Sequence, residues 1–271
     1  MIDPETAGHA REAAAALRAL LKAEFDLVEF LPACRPAPRP ALPPRTGPVE
    51  PPRSRPAAPA PPEASAARAT PVQRTDAIPR FLEALGTVRP DLDAMRTEVE
   101  SCTACSLAGT RTRTVFGEGR IGAAVMFVGE GPGQEEDRTG RPFVGAAGEL
   151  LDRIIAAMGL RREDQYICNV VKCRPPENAT PLPDQVRACL PFLERQILAV
   201  RPGVLVALGV TAARALLGGT AGVAQRRGIM TKQGDIPVVV TYHPAALLRE
   251  PSRKRDTWED MKLVMGLLKA Q

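Results

Sequence analysis

An apolar run from Ala123 to Val128 stops abruptly at Gly129-Glu130-Gly131-Pro132-Gly133. A run that short, ended by a turn signal, predicts a strand buried on both faces of a parallel sheet. The pattern recurs at Tyr166 to Val171, Val204 to Leu208 and Pro237 to Tyr242. Helix-like segments stand between these runs. Residues 146–158 place Leu150, Leu151, Ile154 and Ile155 inward, and residues 183–200 open on a proline at the first turn. Gly209 leads a third helix to Leu217, and residues 256–269 close the chain with Asp256 as the expected N-cap. Strands alternating with helices predict an α/β fold, with three α/β/α layers around a central four-stranded parallel sheet. Ligands in such sheets sit beyond the carboxyl ends of the strands. Those ends carry Glu130, Asn169, Gly209 and His243.

The loop after the first strand is either a plain turn or a place where backbone closely approaches a ligand. Two nucleotide fingerprints are excluded. A dinucleotide loop would need glycine where Gln134 stands, and no lysine follows at the position a P-loop requires.

The preceding chain has a different character. Residues 1–31 carry Leu17, Leu20, Leu21, Leu27, Val28 and Leu31 at helical spacing, an amphipathic helix that packs on the main domain or meets a protein partner. Residues 32–77 form a Pro/Ala/Arg-rich linker; half of the 28 prolines lie between Pro32 and Pro71. Without a periodic apolar face, this stretch is expected to be disordered and partly polyproline-like. The compact domain is expected over residues 78–271, opening with two short helices around Phe81, Leu82 and Leu85 and around Leu92, Met95 and Val99. No apolar stretch is long enough to span a membrane. The acidic start, with Asp3 and Glu5, is unlike a secretory signal, so a cytoplasmic location is expected. A net charge of +5 is compatible with an acidic partner such as nucleic acid.

Cytosolic cysteines are more often metal ligands or buried thiols than disulfides. Cys102 and Cys105 form C-x2-C, Cys173 follows the second strand, and Cys189 lies in the next helix. Four soft ligands suit zinc or an iron–sulfur cluster, and spacing alone leaves unlinked thiols open too. Cys168, inside a strand, and Cys34, in the linker, read as non-ligands.

The segments GEGPGQEEDRTGRPFVGAAGELLD, YICNVVKCRPP and TYHPAALL, with the C-x15-C step to Cys189, resemble the type-4 uracil-DNA glycosylases of bacteria and archaea over about residues 95–271. The resemblance implies the uracil-DNA glycosylase fold and a [4Fe–4S] cluster on Cys102, Cys105, Cys173 and Cys189. It also implies excision of uracil from DNA. Relatives that begin the first motif Gly-Leu-Ala, or carry a Lys/Arg-rich insertion before the histidine motif, behave differently. Neither feature occurs here, so ordinary turnover by a monomer is expected.

A glycosylase flips its base into a pocket. Phe143 is the candidate wall, Asn169 the donor–acceptor pair that reads uracil, and His243 the donor to the leaving ring. Backbone N–H groups at Glu130 and Gly131 can add donors. Glu130 is the first candidate to order the attacking water, with Glu136 and Asp137 as alternatives. Leu247 or Leu248 is expected to wedge into the duplex. Arg249, Arg253, Lys254 and Arg255 are expected to pair phosphates, with Arg111 and Arg113 extending that face. Absence of a lysine placed for lyase chemistry points to a monofunctional enzyme. The rival readings are a non-catalytic DNA- or polymerase-binding module on the same fold, and a zinc-binding structural protein.

Overall fold

A computed structural model describes residues 90–270 of the 271-residue chain. The expected N-terminal helix, the linker and the helix around Phe81 lie outside the described residues.

The first described helix, α1 (Leu92–Ser101), is capped by Asp91, whose carboxylate accepts the N–H of Asp93 at 2.9 Å. Then come β1 (Glu118–Gly119), β2 (Val125–Gly129), α2 (Gln134–Thr139), α3 (Ala146–Ala157) and β3 (Tyr166–Asn169). The second half runs α4 (Pro183–Val200), β4 (Val204–Leu208), α5 (Val210–Leu217), α6 (Val223–Arg226), β5 (Met230–Gln233) and β6 (Ile236–Thr241). It ends with α7 (Pro244–Arg249) and α8 (Lys254–Lys269).

These strands form one six-stranded sheet in the order β1-β3-β2-β4-β6-β5. The inner four, β3, β2, β4 and β6, are parallel, as the apolar runs predict. The sheet is wider than the expected four strands, because β1 and β5 pair antiparallel at its two edges. Both edges are silent to an apolar-run reading. β1 is a two-residue bridge, and Met-Thr-Lys-Gln in β5 is mostly exposed. β5 returns into β6 through Gly234, whose φ of +58° suits a tight hairpin.

All residues of β2 and β4 are buried, which requires cover on both faces. Met126, Val128, Leu205, Ala207, Val238 and Val240 pack with α4 and α5 on one face. Their neighbours Phe127, Val206 and Val239, which point the other way, are fully buried too.

The closing helix begins two residues earlier than expected. Arg253 is its N-cap, and Asp256 sits in the first turn beside Arg227 at 3.7 Å. The preceding Pro251–Arg253 3-10 turn runs straight into the helix, so no side-chain cap is needed. Further along α8, Asp260 is wholly buried. It accepts the Thr241 hydroxyl at 2.7 Å, the Gly228 N–H at 3.1 Å and the Arg227 guanidinium at 3.3 Å. That knot fixes the end of β6 against α8.

Candidate active site

Parallel strands all finish at one edge, so the loops after β2, β3, β4 and β6 meet there. A cavity of about 880 Å³ opens at this edge, and Glu130, Gly131, Phe143, Asn169, Gly209 and His243 all line it.

Gly129 permits a close approach at the end of β2. A Cβ there would lie 2.3 Å from Asn169 Oδ1 and 2.5 Å from the Phe143 ring, so only glycine lets both side chains close over the strand end. Asn169 is 1% exposed, and its Oδ1 is buried with no hydrogen-bond partner. An orphaned buried acceptor of this kind is costly unless a ligand supplies the donor.

Phe143 occupies a left-handed backbone conformation, φ +51°. Such strain in a non-glycine residue costs about 1–3 kcal/mol and persists only where surrounding groups impose it. The surroundings here are specific. Arg162 donates to the carbonyls of Pro142 at 2.7 Å and Phe143 at 3.2 Å. The same guanidinium is held by Asp152 at 2.5 Å and Glu118 at 3.1 Å. On the far side, Glu136 Oε1 accepts the N–H groups of Val144 at 2.9 Å and Gly145 at 3.0 Å. Glu136 therefore braces the phenylalanine loop. Asp137 does similar work elsewhere, accepting the N–H of Thr112 at 2.9 Å. Of the two, Glu136 also lines the cavity.

His243 is the N-cap of α7, and its ring centroid lies 5.5 Å from that of Phe143 at a 31° tilt. Its Nδ1 accepts the Ala245 N–H at 3.1 Å, which assigns the proton of the neutral ring to Nε2. Burial, helped by the nearby Arg249 charge and opposed by Glu136, pushes the imidazole down to about 4. The ring is thus an uncharged donor at neutral pH. Across the cavity, the Thr211 hydroxyl donates to Glu130 Oε2. Thr211 stands in the first turn of α5, a position that sequence reasoning passed over.

The expected DNA-facing residues divide. Leu247 is 1% exposed and packs into the interior, so it is not the wedge; α7 turns that face inward against α3. Leu248 is exposed and keeps the candidacy. Arg249 and Arg253 line the cavity. Arg253 also pairs with Glu250 at 2.7 Å and lies over the Tyr242 ring at 4.7 Å. Lys254 is half-buried and Arg255 exposed. Arg111 is half-buried and borders an open groove with Arg96 and Arg113, while it donates to the carbonyls of Cys102 at 2.8 Å and Glu100 at 2.9 Å, and to Cys173 Sγ at 3.2 Å. Arg113 is exposed.

Cys102, Cys105, Cys173 and Cys189 line a second, small cavity together with Arg111 and Lys172. Among the described residues, no three Cys, His, Asp or Glu groups close around a single metal ion. The donors and their setting suit a larger, anionic, thiolate-bound group: four sulfurs share one cavity, two cationic side chains border it, and N–H groups reach two of the sulfurs. Cys168 lies apart, wholly buried in β3.

A family model described as the uracil DNA glycosylase superfamily matches residues 116–262. The chain is 45% identical over 184 residues to a type-4 uracil-DNA glycosylase of Thermotoga maritima, an alignment covering 66% of this chain and 96% of the relative. It is 42% identical to the type-4 enzyme of Pyrobaculum aerophilum, covering 65% of this chain and 94% of that one. The Archaeoglobus fulgidus type-4 enzyme is also 42% identical, with 64% and 91% covered.

Proposed function

The chain belongs to the type-4 family of the uracil-DNA glycosylase superfamily and is a DNA glycosylase, and on that premise we propose that it hydrolyses the N-glycosidic bond of a flipped deoxyuridine through Phe143, Asn169, His243 and Glu130. The observation that carries this reading is the orphaned Oδ1 of Asn169, buried beside the Phe143 ring in the cavity that His243 lines.

A flipped uracil stacks on Phe143. Its N3–H supplies the donor that Asn169 Oδ1 lacks, and the Asn169 amide N–H donates to O4. Cytosine offers a bare N3 to Oδ1 and an amino group to the amide donor. Mispaired buried groups cost about 1–3 kcal/mol each. As the C1′–N1 bond breaks, its electron pair moves onto the ring and negative charge grows at O2. The Nε2–H of neutral His243 stabilises that charge without first giving up a proton. Water adds to C1′. Glu130, held by the Thr211 hydroxyl, orders that water and takes its proton. No lysine is among the described residues that line the cavity, which supports a monofunctional enzyme that leaves an intact abasic strand.

Cys102, Cys105, Cys173 and Cys189 would hold the [4Fe–4S] cluster. When bound, the cluster supplies a rigid brace for the loops that carry them, and base removal includes no redox step. Leu248, Arg249 and Arg255 face the duplex, acting as wedge and phosphate partners.

The deciding experiment is incubation of the purified chain with a synthetic duplex containing one uracil. Free uracil and an unbroken abasic strand are expected. Strands nicked without alkali would remove the monofunctional reading, and no release of uracil would remove the whole assignment.

A further inference from the structure

Lys172 is 1% exposed, so its amino group is cut off from water. Nζ donates to the backbone carbonyl of Asn169 at 2.6 Å and to Gln196 Oε1 at 2.5 Å. Gln196 is itself fixed, donating to the Phe116 carbonyl at 2.8 Å and the Tyr166 hydroxyl at 3.1 Å. All of these partners are neutral. Among the described residues, no carboxylate pairs with Lys172. These acceptors satisfy its donors but supply no opposite charge, so a compensating anion must come from elsewhere in its surroundings.

One neighbouring space can hold that anion. Lys172 borders the small cavity with Cys102, Cys105, Cys173 and Cys189, and its own backbone N–H donates to Cys189 Sγ at 3.3 Å. Four thiolates around an iron–sulfur cluster carry net negative charge, and that charge helps set the cluster's potential. The two ends of Lys172 thus reach different sites: the backbone meets a cluster sulfur, and the ammonium meets the residue that reads the base.

We infer that Lys172 is the fixed counter-charge of the cysteine-bound cluster and, through the Asn169 carbonyl, the tie that positions the uracil-reading amide. This rests on the cluster and Asn169 roles proposed above. Lys172 touches no substrate and is a positioning residue. With the cluster in place, the ammonium is compensated and stays on the Asn169 carbonyl.

The test compares the iron-loaded full chain with Lys172→Met, which keeps the stem and removes charge and donors, and with Gln196→Leu, which keeps the charge and loosens its seat. Iron per chain, cluster reduction potential, and KM and kcat on uracil-containing duplex are read for each. Lys172→Met is expected to lower the reduction potential, since a nearby positive charge favours the reduced form, and to raise KM about tenfold. Gln196→Leu is expected to raise KM with the potential near that of the parent. A Lys172→Met chain with parental potential and KM overturns the inference. If that variant does not fold, Gln196→Leu decides alone, and an unchanged KM there overturns it. A parent chain that binds no iron, or releases no uracil, sinks the underlying reading instead.

Discussion

The Nδ1 of His243 and the N–H of Ala245 are 3.1 Å apart, so the first turn of α7 sets which ring nitrogen carries the proton. Burial and the Arg249 charge hold the ring down to about 4. On the mechanism proposed above the neutral form is the working form, so kcat/KM should show no acid limb near the usual histidine value of about 6.5. The sign for stability follows from the same shift. The unfolded chain binds this proton first, so the stabilising effect is complete above about pH 6.5 and is lost as pH falls toward 4. A pH–rate profile checks the first claim, and a limb centred near 6.5 counts against it. His243→Gln should reduce kcat by about 10²–10³, the loss typical of removing one oriented donor at a developing oxyanion.

Gly129→Ala should be far more harmful to activity than its size suggests. The new methyl group would meet Asn169 Oδ1 and the Phe143 ring at once. Overpacking typically costs about 1–3 kcal/mol, and here it would be relieved by displacing the two groups proposed to hold the base. Steady-state kinetics should show a loss of roughly tenfold or more in kcat/KM, with the thermal midpoint lowered only modestly.

Arg162→Ala should release the strain stored at Phe143. The carbonyls of Pro142 and Phe143 would lose their shared donor, and the loop would relax away from its left-handed turn. KM is expected to rise about tenfold with a smaller change in kcat, because the stacking wall moves while His243 stays in place. Parallel falls in kcat and KM would contradict this division.

The central sheet was legible because each inner strand is a mostly apolar run that ends in, or is followed at once by, a polar or glycine residue. The edges were not, since β1 is too short for any period and β5 is mostly exposed. Glu130, Asn169 and His243 were readable because parallel strands deliver their last residues to one place. Arg162 and Thr211 were not, because each makes its contacts with residues distant in the chain; Lys172 reaches nearby Asn169, but its seat is set by Gln196 much further on, and nothing in the local sequence marks that. Leu247 and Leu248 show the limit of pattern reading: adjacent leucines on one short helix, one turned inward and one outward.

Cys189→Ala should abolish the broad absorbance near about 400 nm expected of an iron–sulfur protein and lower iron per chain. Because Cys102 and Cys105 follow α1 while Cys173 lies in the loop after β3 and Cys189 in α4, losing one proposed ligand should also loosen the α1 segment. Hydrogen exchange should show new lability over residues 92–111. Unchanged protection there would show that the segment stands without the metal.

Arg249→Gln and Arg255→Gln should each weaken duplex binding more at low salt than at high salt. For each phosphate contact removed, the slope of log affinity against log salt should fall by about 0.9. Leu248→Ala should leave that slope unaltered while slowing release from duplex more than from single strands.

The carboxylate of Asp260 grips Thr241, two residues before His243, from α8. A nascent polypeptide emerging from a ribosome could pair its inner strands and still lack a seated imidazole. The cleft therefore waits on the docking of α8, a segment that lends it no reacting group.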